Sequence, residues 1–234
     1  MESGLYIVGT PIGNLDDFSP RGIETLRQVD VILAEDTRHT RKLSERFGIS
    51  TQLVSCHKFN EASRIDRVVE DLLSGKTAAL VSDSGMPGVS DPGGRLVQAC
   101  HERNVQVFAV PGPSAVTAAI ALSGWGEQGF LFDGFLSNKS ASRRTQLSKY
   151  VEEKRAVVLF ESPHRILKFL ADVTTTLGSR PIFVGRELTK KFEQVITGNA
   201  EEVKTALESG FAKGEFVIVI APFNRKRDTS SHAR

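Results

Sequence analysis

Cysteines and long apolar runs are scarce in this sequence. Only Cys56 and Cys100 occur among 234 residues, and their spacing excludes a disulfide framework or a CxxC-type metal or redox site. No apolar run approaches the roughly 18 to 20 residues of a membrane span, and the amino end lacks the basic start of a signal peptide. Reduced thiols are typical of the cytosol. We therefore expect a soluble, cytoplasmic protein that uses no metal and no membrane.

Excess charge is equally scarce, because 30 lysines and arginines stand against 28 acidic residues, for a formal net charge of +2. A positive field over the whole surface is thereby excluded, so any affinity for nucleic acid must come from local patches. The segment 38–46 holds four basic residues and one acid. This segment either faces phosphate or is an ordinary solvated helix surface, and composition does not decide between the two.

No GxGxxG dinucleotide loop follows a predicted strand to open a helix, and no GxxxxGK[ST] phosphate loop occurs, which disfavours an enzyme that uses nucleoside triphosphates. Glycine and proline instead follow the apolar run 78–81, which is typical of a parallel strand covered on both faces. Asp91 as N-cap and Pro92 at the first helical position predict that a helix begins there. Ligands of open α/β sheets bind in such loops, and the alternative is a plain strand-to-helix turn.

Two further Gly/Pro turns, at 9–14 and 111–115, follow apolar strands at 5–9 and 105–110. The carboxyl ends of parallel strands meet at one edge of a sheet, so the coincidence favours a ligand site built from all three turns. Strands and helices that alternate at short intervals predict βαβ units with right-handed crossovers.

We therefore predict an α/β protein with two lobes, a mainly parallel sheet in the first and a mixed sheet in the second. Successive strands at 182–186 and 192–197 imply an antiparallel pair in the second lobe. The predicted boundaries are 1–113, 114–223 and, for a basic disordered tail, 224–234.

Six motifs occur in order along the chain. They are Gly9-Thr10-Pro11-Ile12-Gly13-Asn14, Glu35-Asp36-Thr37-Arg38, Ser82-Asp83-Ser84-Gly85 with Asp91-Pro92-Gly93, Pro111-Gly112-Pro113-Ser114, Glu161-Ser162-Pro163-His164-Arg165 and Gly185-Arg186-Glu187-Leu188. Together they resemble the tetrapyrrole-methylase superfamily over residues 5–220. The second and fifth motifs look most like its bacterial branch that methylates the ribose 2′-oxygen of a cytidine in 16S ribosomal RNA.

The resemblance implies a two-lobed tetrapyrrole-methylase-like fold, with S-adenosylmethionine in the cleft between the lobes, and commonly a homodimer. It further implies that the small ribosomal subunit or its RNA is the partner. The implied cofactor contacts of the first half are Thr10, Pro11, Gly13, Asp83, Ser84, Gly85, Pro87, Asp91, Gly112, Ser114 and Ala115. The second half adds Phe160, Glu161, Leu188 and the backbone near Ala221.

Methyl transfer to a ribose hydroxyl needs positioning and a base. We hypothesise that Glu35 or Asp36 orients the hydroxyl, while Arg38 holds a flanking phosphate. His57, Glu61 and Glu187 are further candidates for the base. The structural alternatives are that Asp36 caps the following helix and that Glu161 pairs with Arg165 across one turn.

Basic side chains near the implied site are the candidate RNA contacts. They are Arg41, Lys42, Lys139, Arg143, Arg144 and Lys190, with Lys191 beside the last. Phe59 or Phe192 is the candidate for stacking on a base, the alternative being a place in the core.

Two departures from the RNA branch stand in this sequence. Members of that branch usually carry a helical segment after the last strand, and none is expected from residues 224–234. Members also often have a second histidine near the position of His57, where this sequence has Phe59. The alternative functions are methylation of a corrin or porphyrin, methylation of a modified protein histidine, and noncatalytic binding of RNA or the ribosome.

Overall fold

The computed structural model describes residues 1–57, 61–208 and 213–224. The chain divides into two compact units, Met1–Ser114 and Ala115–Arg234. The candidate Phe59 and the predicted tail after residue 224 lie outside the described residues. In the part of the chain that the structure describes, no helix is long and apolar enough to cross a bilayer.

Strands and helices alternate along the first unit. The strands are β1 (Gly4–Val8), β2 (Val31–Ala34), β3 (Leu53–Ser55), β4 (Thr77–Val81) and β5 (Val107–Val110). The helices are α1 (Pro20–Gln28), α2 (Thr37–Phe47), α3 (Glu61–Leu73) and α4 (Gly94–Glu102). The strands pair in parallel in the order β3-β2-β4-β1-β5, so the predicted parallel sheet is confirmed.

Helices cover both faces of this sheet. Leu5 of β1 packs with apolar residues of α3 and α4, whereas its neighbour Tyr6 packs with those of α1 and α2, because successive side chains of a strand point to opposite faces. The central strand β4 is buried along its whole length. Coverage on both faces accounts for the unbroken apolar run of β4.

The start of α4 differs from the prediction. Gly93 caps this helix at φ 119°, and a Cβ at Gly93 would lie 2.4 Å from the Leu80 side chain. The prediction that Asp91 and Pro92 open the helix is wrong, because the Pro92 carbonyl accepts a hydrogen bond from Gly88 N–H at 3.2 Å. The chain is therefore still turning within the loop at these residues.

The second unit carries a mixed sheet. Its strands are β6 (Phe130–Phe135), β7 (Ala156–Glu161), β8 (Pro181–Arg186), β9 (Gln194–Asn199) and β10 (Phe216–Ile220). Its helices are α5 (Ala115–Ser123), α6 (Ser140–Leu147), α7 (Ile166–Leu177) and α8 (Ala200–Glu208). The strand order is β6-β7-β10-β8-β9, with β6 parallel to β7 and the other pairs antiparallel. The predicted mixed sheet is confirmed, and β9 begins two residues later than predicted.

Three helices cover one face of this sheet and one covers the other. Residues of α6, α7 and α8 pack with Leu159 and Ile218, while α5 packs with Val158 and Val219. Phe216, the first residue of β10, pairs with both Glu161 and Arg186. The carboxyl ends of β7 and β8 therefore share one edge with the amino end of β10.

Candidate active site

Loops from four strands meet at one edge of the first unit. Because β1, β2, β4 and β5 are parallel, the chain leaves each of them on the same side. The loops are 9–14, 35–36, 82–93 and 111–114. Open α/β sheets bind ligands at this side, and we name it the carboxyl edge.

Thr10 joins the loop after β1 to the loop after β4. Its N–H donates to the Gly85 carbonyl at 2.9 Å, and Gly85 N–H donates to the Thr10 carbonyl at 3.2 Å. The Thr10 hydroxyl donates to the Ser82 carbonyl at 3.1 Å. Gly85 has a φ of 84°, a conformation that favours glycine. The two loops are therefore held together by the buried threonine.

Two glycines let the loops after β1 and β5 touch. A Cβ on Gly9 would lie 2.7 Å from Gly112 Cα, and a Cβ on Gly112 would lie 2.6 Å from the Gly9 carbonyl oxygen. Real Cβ atoms essentially never approach other atoms so closely. Both positions therefore exclude any side chain unless the backbone moves.

Four carboxyl groups gather at the carboxyl edge: Glu35, Asp36, Asp83 and Asp91, here called the acidic group. The Asp36 N–H donates to Asp83 Oδ1 at 3.2 Å. Burial raises the pKa of Glu35, and the charges of Asp91, Asp83 and Asp36 raise it further. Burial also raises the pKa of Asp91; a hydrogen bond with the Ser82 side chain opposes this shift, and Asp83 adds to it. The edge therefore carries negative potential that suits a cationic group.

Asp36 has the structural role that the sequence left open. Its carboxylate caps α2 by accepting Arg38 N–H at 2.8 Å, and it also accepts Arg38 Nε and Nη2 at 3.1 and 2.7 Å. The side-chain hydrogen bond with Arg38 is the main cause of a lowered pKa of Asp36. A carboxylate held in this way is a weaker base than Glu35.

The exposed side of α2 is basic. Arg38, Arg41 and Lys42 are three and four residues apart and therefore lie on one side of the helix, and all three are exposed. The helix begins at Thr37, at the carboxyl edge. We name these three residues the α2 basic face, which extends from the acidic group over one helical turn.

An ion pair joins two loops at the edge of the second unit. Glu161, with its side chain fully buried, lies 3.1 Å from Arg165 Nη2 and accepts Ser162 N–H at 2.7 Å. Burial raises the pKa of Glu161, and the Ser162 N–H and the charge of Arg165 oppose that shift. Arg165 also donates to the Leu136 carbonyl at 2.8 Å and to Asn138. The predicted Glu161–Arg165 pair is present, although Glu161 ends β7 and Arg165 caps α7 rather than lying one turn along a helix.

Arg143 corrects the predicted RNA surface. It is 2% exposed, and its Nε donates to Asp172 Oδ2 at 2.8 Å. Its Nη1 donates to the Ser137 carbonyl at 3.1 Å. A guanidinium in this position is unavailable to phosphate, so the prediction for Arg143 is wrong. Lys139 and Arg144, from the same segment, are exposed.

Lys190 is also engaged within the fold. Its ammonium group lies 3.0 Å from Glu187 Oε1 and 2.8 Å from Glu215 Oε2. Partial burial raises the pKa of Glu187, but the Glu215 N–H and Lys190 together lower it below its ordinary value. Lys190 is therefore engaged by carboxylates and is no longer a candidate phosphate contact. Glu187, with its lowered pKa, is no longer a candidate base.

Residues 4–204 match the family model described as Tetrapyrrole (Corrin/Porphyrin) Methylases. The chain belongs to the tetrapyrrole methylase family. The "Ribosomal RNA small subunit methyltransferase I" of Synechocystis sp. is 46% identical over 218 residues, covering 93% of this methylase and 78% of that protein. The protein of the same name from Thermotoga maritima is 43% identical over 217 residues, covering 93% of this chain and 97% of that protein. The resemblance inferred from the six motifs is thereby confirmed.

Solved structures share the fold of this tetrapyrrole methylase at low identity. The structure of diphthine synthase has a TM-score of 0.72 at 18% identity, covering 97% of this chain and 93% of the other. The structure of cobalt precorrin-4 methyltransferase has a TM-score of 0.66 at 19% identity, covering 92% of this chain and 93% of the other. These likenesses show the fold alone. Family membership makes the methylase an enzyme whose methyl donor is S-adenosylmethionine.

The chemistry of the carboxyl edge fits this cofactor. S-adenosylmethionine carries a cationic sulfonium and an amino group, and the carboxylates of the acidic group would favour such positive charges. Residues implied as cofactor contacts gather here: Thr10, Pro11, Gly13, Asp83, Ser84, Gly85, Pro87, Asp91, Gly112 and Ser114. Gly13 and Ser84 are exposed, while Pro11 and Pro87 are buried. No group of three or more His, Cys, Asp or Glu residues within the described ranges is arranged to hold a metal.

Of the implied contacts of the second half, Phe160, Glu161 and Leu188 lie at the carboxyl ends of β7 and β8, and Ala221 lies apart from them. Phe160 and Leu188 belong to the apolar cluster on the α5 face, whereas Glu161 points to the opposite face, toward Arg165. Ala221 follows β10 and donates its N–H to the Pro181 carbonyl, at the sheet edge opposite Glu161. Ala115, the first residue of α5, opens the second unit.

Sequence reasoning missed Asp172, which holds Arg143 and also accepts the Ser140 hydroxyl at 2.7 Å. A signal was present, because Asp172 stands in α7 between Leu170 and Val173, which are both buried. An acidic residue on the apolar side of a helix predicts a buried cationic partner. The identity of that partner requires the tertiary fold.

Proposed function

We propose that this methylase transfers a methyl group from S-adenosylmethionine to the ribose 2′-oxygen of a cytidine in 16S ribosomal RNA of the small subunit. The observation that carries the proposal is an identity of 40–46%, over 92–95% of this chain, with proteins named ribosomal RNA small subunit methyltransferase I. The acidic group and the adjoining α2 basic face support it, because the first suits a cationic cofactor and the second a phosphate backbone.

The carboxyl edge would hold the cofactor with the Asp83 carboxylate, the Ser84 hydroxyl and the backbone of the loops at 9–13 and 111–114. When bound, S-adenosylmethionine would supply a methyl group for attack by an oxygen nucleophile, with the sulfonium sulfur leaving as a neutral thioether. The contact between Gly9 and Gly112 and the Thr10–Gly85 hydrogen bonds fix these loops before binding. Preset loops position the reactants and lower the entropic cost of the reaction.

Glu35 is the proposed general base. The raised pKa of Glu35 lies nearer to neutral pH, where a general base is most effective. As the ribose oxygen attacks the methyl carbon, the hydroxyl proton passes to the Glu35 carboxylate. Asp36 keeps Arg38 at the start of α2 through two side-chain hydrogen bonds. The α2 basic face then holds the phosphates beside the reacting nucleotide.

We also propose a homodimer, which the family resemblance implies, and a place in the cytoplasm, where ribosomal RNA would be met. Phe130 and Phe135 on the edge strand β6 are 39% and 56% exposed. A second copy that covers them would remove apolar surface from water. A monomeric mass in light scattering at micromolar concentration would contradict the dimer.

The first test is transfer of labelled methyl groups to small subunits from cells that lack the activity. We expect label in the 16S RNA with the wild-type chain and almost none with Glu35→Gln, although the variant still binds S-adenosylmethionine in calorimetry. Cofactor binding without label in RNA would point instead to another methyl acceptor, such as a corrin, a porphyrin or a protein histidine. RNA binding without cofactor binding would indicate a noncatalytic module.

A further inference from the structure

The connection between β8 and β9, residues 187–193, displays an aromatic ring to solvent. Phe192 is 67% exposed, the largest value among the described large apolar side chains. Its neighbours Lys191, Glu193 and Gln194 are exposed as well. The residues beside the ring in the sequence are therefore charged or polar, and Val195, which is 46% exposed, is the next exposed large apolar residue along the chain. The core of a typical protein–protein interface, in contrast, is depleted of charged residues.

The backbone of this connection is held firmly. Glu187 N–H donates to the Glu215 carbonyl at 2.9 Å, and Glu215 N–H donates to Glu187 Oε1 at 2.8 Å. Thr189 N–H donates to the Glu193 carboxylate. Glu187 and Thr189 have φ values of 51° and 65°, which are costly for residues with a side chain and tend to be retained at functional sites. The exposed ring thus stands on a preset loop.

The two lysines of the connection have different surroundings. The Lys190 ammonium group is paired with Glu187 and Glu215. Lys191 lies 5.6 Å from the centroid of the Phe192 ring, and no carboxylate of the described residues lies within ion-pair distance of it. A free positive charge and an exposed aromatic face are therefore presented side by side.

We infer that Phe192 stacks on an unpaired base of the RNA substrate and that Lys191 contacts the adjoining phosphate. Stacking on aromatic side chains together with phosphate contacts is how proteins hold single-stranded RNA. The inference rests on the proposed function only in taking RNA as the substrate. A second copy of the chain is the competing occupant, and the charges around the ring make it the less suitable one.

The test measures binding and turnover separately with the full-length chain. Binding to labelled small subunits and to a single-stranded RNA oligonucleotide is followed by fluorescence anisotropy. Phe192→Ala should weaken binding about 5- to 100-fold, the range that stacking of one base supplies. Phe192→Tyr should restore it to within about 3-fold of the wild-type value, because its ring also stacks. Affinity for S-adenosylmethionine should not change in either variant.

Lys191→Gln should weaken binding and reduce the slope of log affinity against log salt concentration by about one. Lys168→Gln, which changes an exposed lysine of α7, is the matched control and should leave that slope unchanged. Wild-type binding by Phe192→Ala would overturn the inference, as would a loss of dimer mass in that variant, because the ring would then belong to an interface between copies.

The result also separates this inference from the proposed function. RNA binding that depends on Phe192, without methyl transfer by the wild-type chain, would leave the inference standing and remove the proposed function. Methyl transfer together with RNA binding that does not depend on Phe192 would support the proposed function and overturn this inference. Absence of any RNA binding by the wild-type chain would overturn both.

Discussion

Replacing Arg143 with methionine removes one half of a buried ion pair. Arg143 Nε lies 2.8 Å from Asp172 Oδ2, and the two side chains are 3% and 7% exposed. In Arg143→Met the carboxylate of Asp172 keeps, among the described residues, only the Ser140 hydroxyl at 2.7 Å and the half-exposed Arg144 at 3.6 Å. A buried charge that loses its partner costs about 3–5 kcal/mol, so we expect the free energy of unfolding to fall by about 3–5 kcal/mol.

Two further variants separate the pair from its members. Arg143→Met with Asp172→Leu removes both charges, and we expect stability to return to within about 2 kcal/mol of wild type, because no unpaired charge remains. Arg144→Gln removes a guanidinium that is 48% exposed and 3.6 Å from Asp172. Solvent screens such an interaction, so the loss should stay below about 1 kcal/mol.

Urea unfolding measures these differences in the second unit. Trp125, the one tryptophan of the sequence, packs against the apolar cluster on the α5 face and reports on that unit by fluorescence. A lower midpoint with an unchanged slope identifies a change in stability. Equal midpoints for wild type and Arg143→Met would refute the buried pair, and weaker RNA binding at those equal midpoints would return Arg143 to the RNA surface.

Substitutions at three places in the first unit give four further predictions. Glu35→Gln should lower kcat about 10²- to 10⁴-fold. Because a general base acts when deprotonated, wild-type kcat should fall as the pH drops below the raised pKa of Glu35. A flat pH profile of kcat would contradict this role. The same variant should unfold at no lower urea concentration than wild type near neutral pH, since a raised carboxyl pKa means that ionised Glu35 destabilises the fold. Gly112→Ala should weaken cofactor binding at least about 10-fold in calorimetry, because the new Cβ would lie 2.6 Å from the Gly9 carbonyl oxygen and would displace the loops that position the cofactor. Unchanged affinity would show that the contact between these loops is dispensable. Arg41→Gln with Lys42→Gln should reduce the salt slope of RNA binding by about two, with cofactor affinity as the control, and a wild-type slope would exclude the α2 basic face.

Local chemistry explains which parts of the fold were predictable. Glycine and proline after an apolar run force the chain to turn at the end of a strand, so the loops of the carboxyl edge were recognised from sequence. The cap formed by Asp36 follows from the preference of Asp for that position. Both features depend on residues close together in the chain, and the structure has both.

Long-range partners explain what sequence did not predict. Arg143 and Arg144 are adjacent and chemically identical, yet the first is buried and the second exposed, because Asp172 lies 29 residues away and faces Arg143. Lys190 and Lys191 differ partly for the same reason, because Glu215, just before β10 and 25 residues further on, pairs with Lys190 together with the nearby Glu187. The long-range partners, Asp172 and Glu215, follow only from the tertiary fold.

The most direct test of the central claim is the identity of the methylated nucleoside. Small subunits treated with the wild-type chain and labelled S-adenosylmethionine would be digested completely, and the nucleosides separated by liquid chromatography and mass spectrometry. We expect the label in 2′-O-methylcytidine alone, and its absence with Glu35→Gln. Label in a base-methylated nucleoside, or an unlabelled RNA despite normal cofactor binding, would contradict methylation of a ribose oxygen by this site.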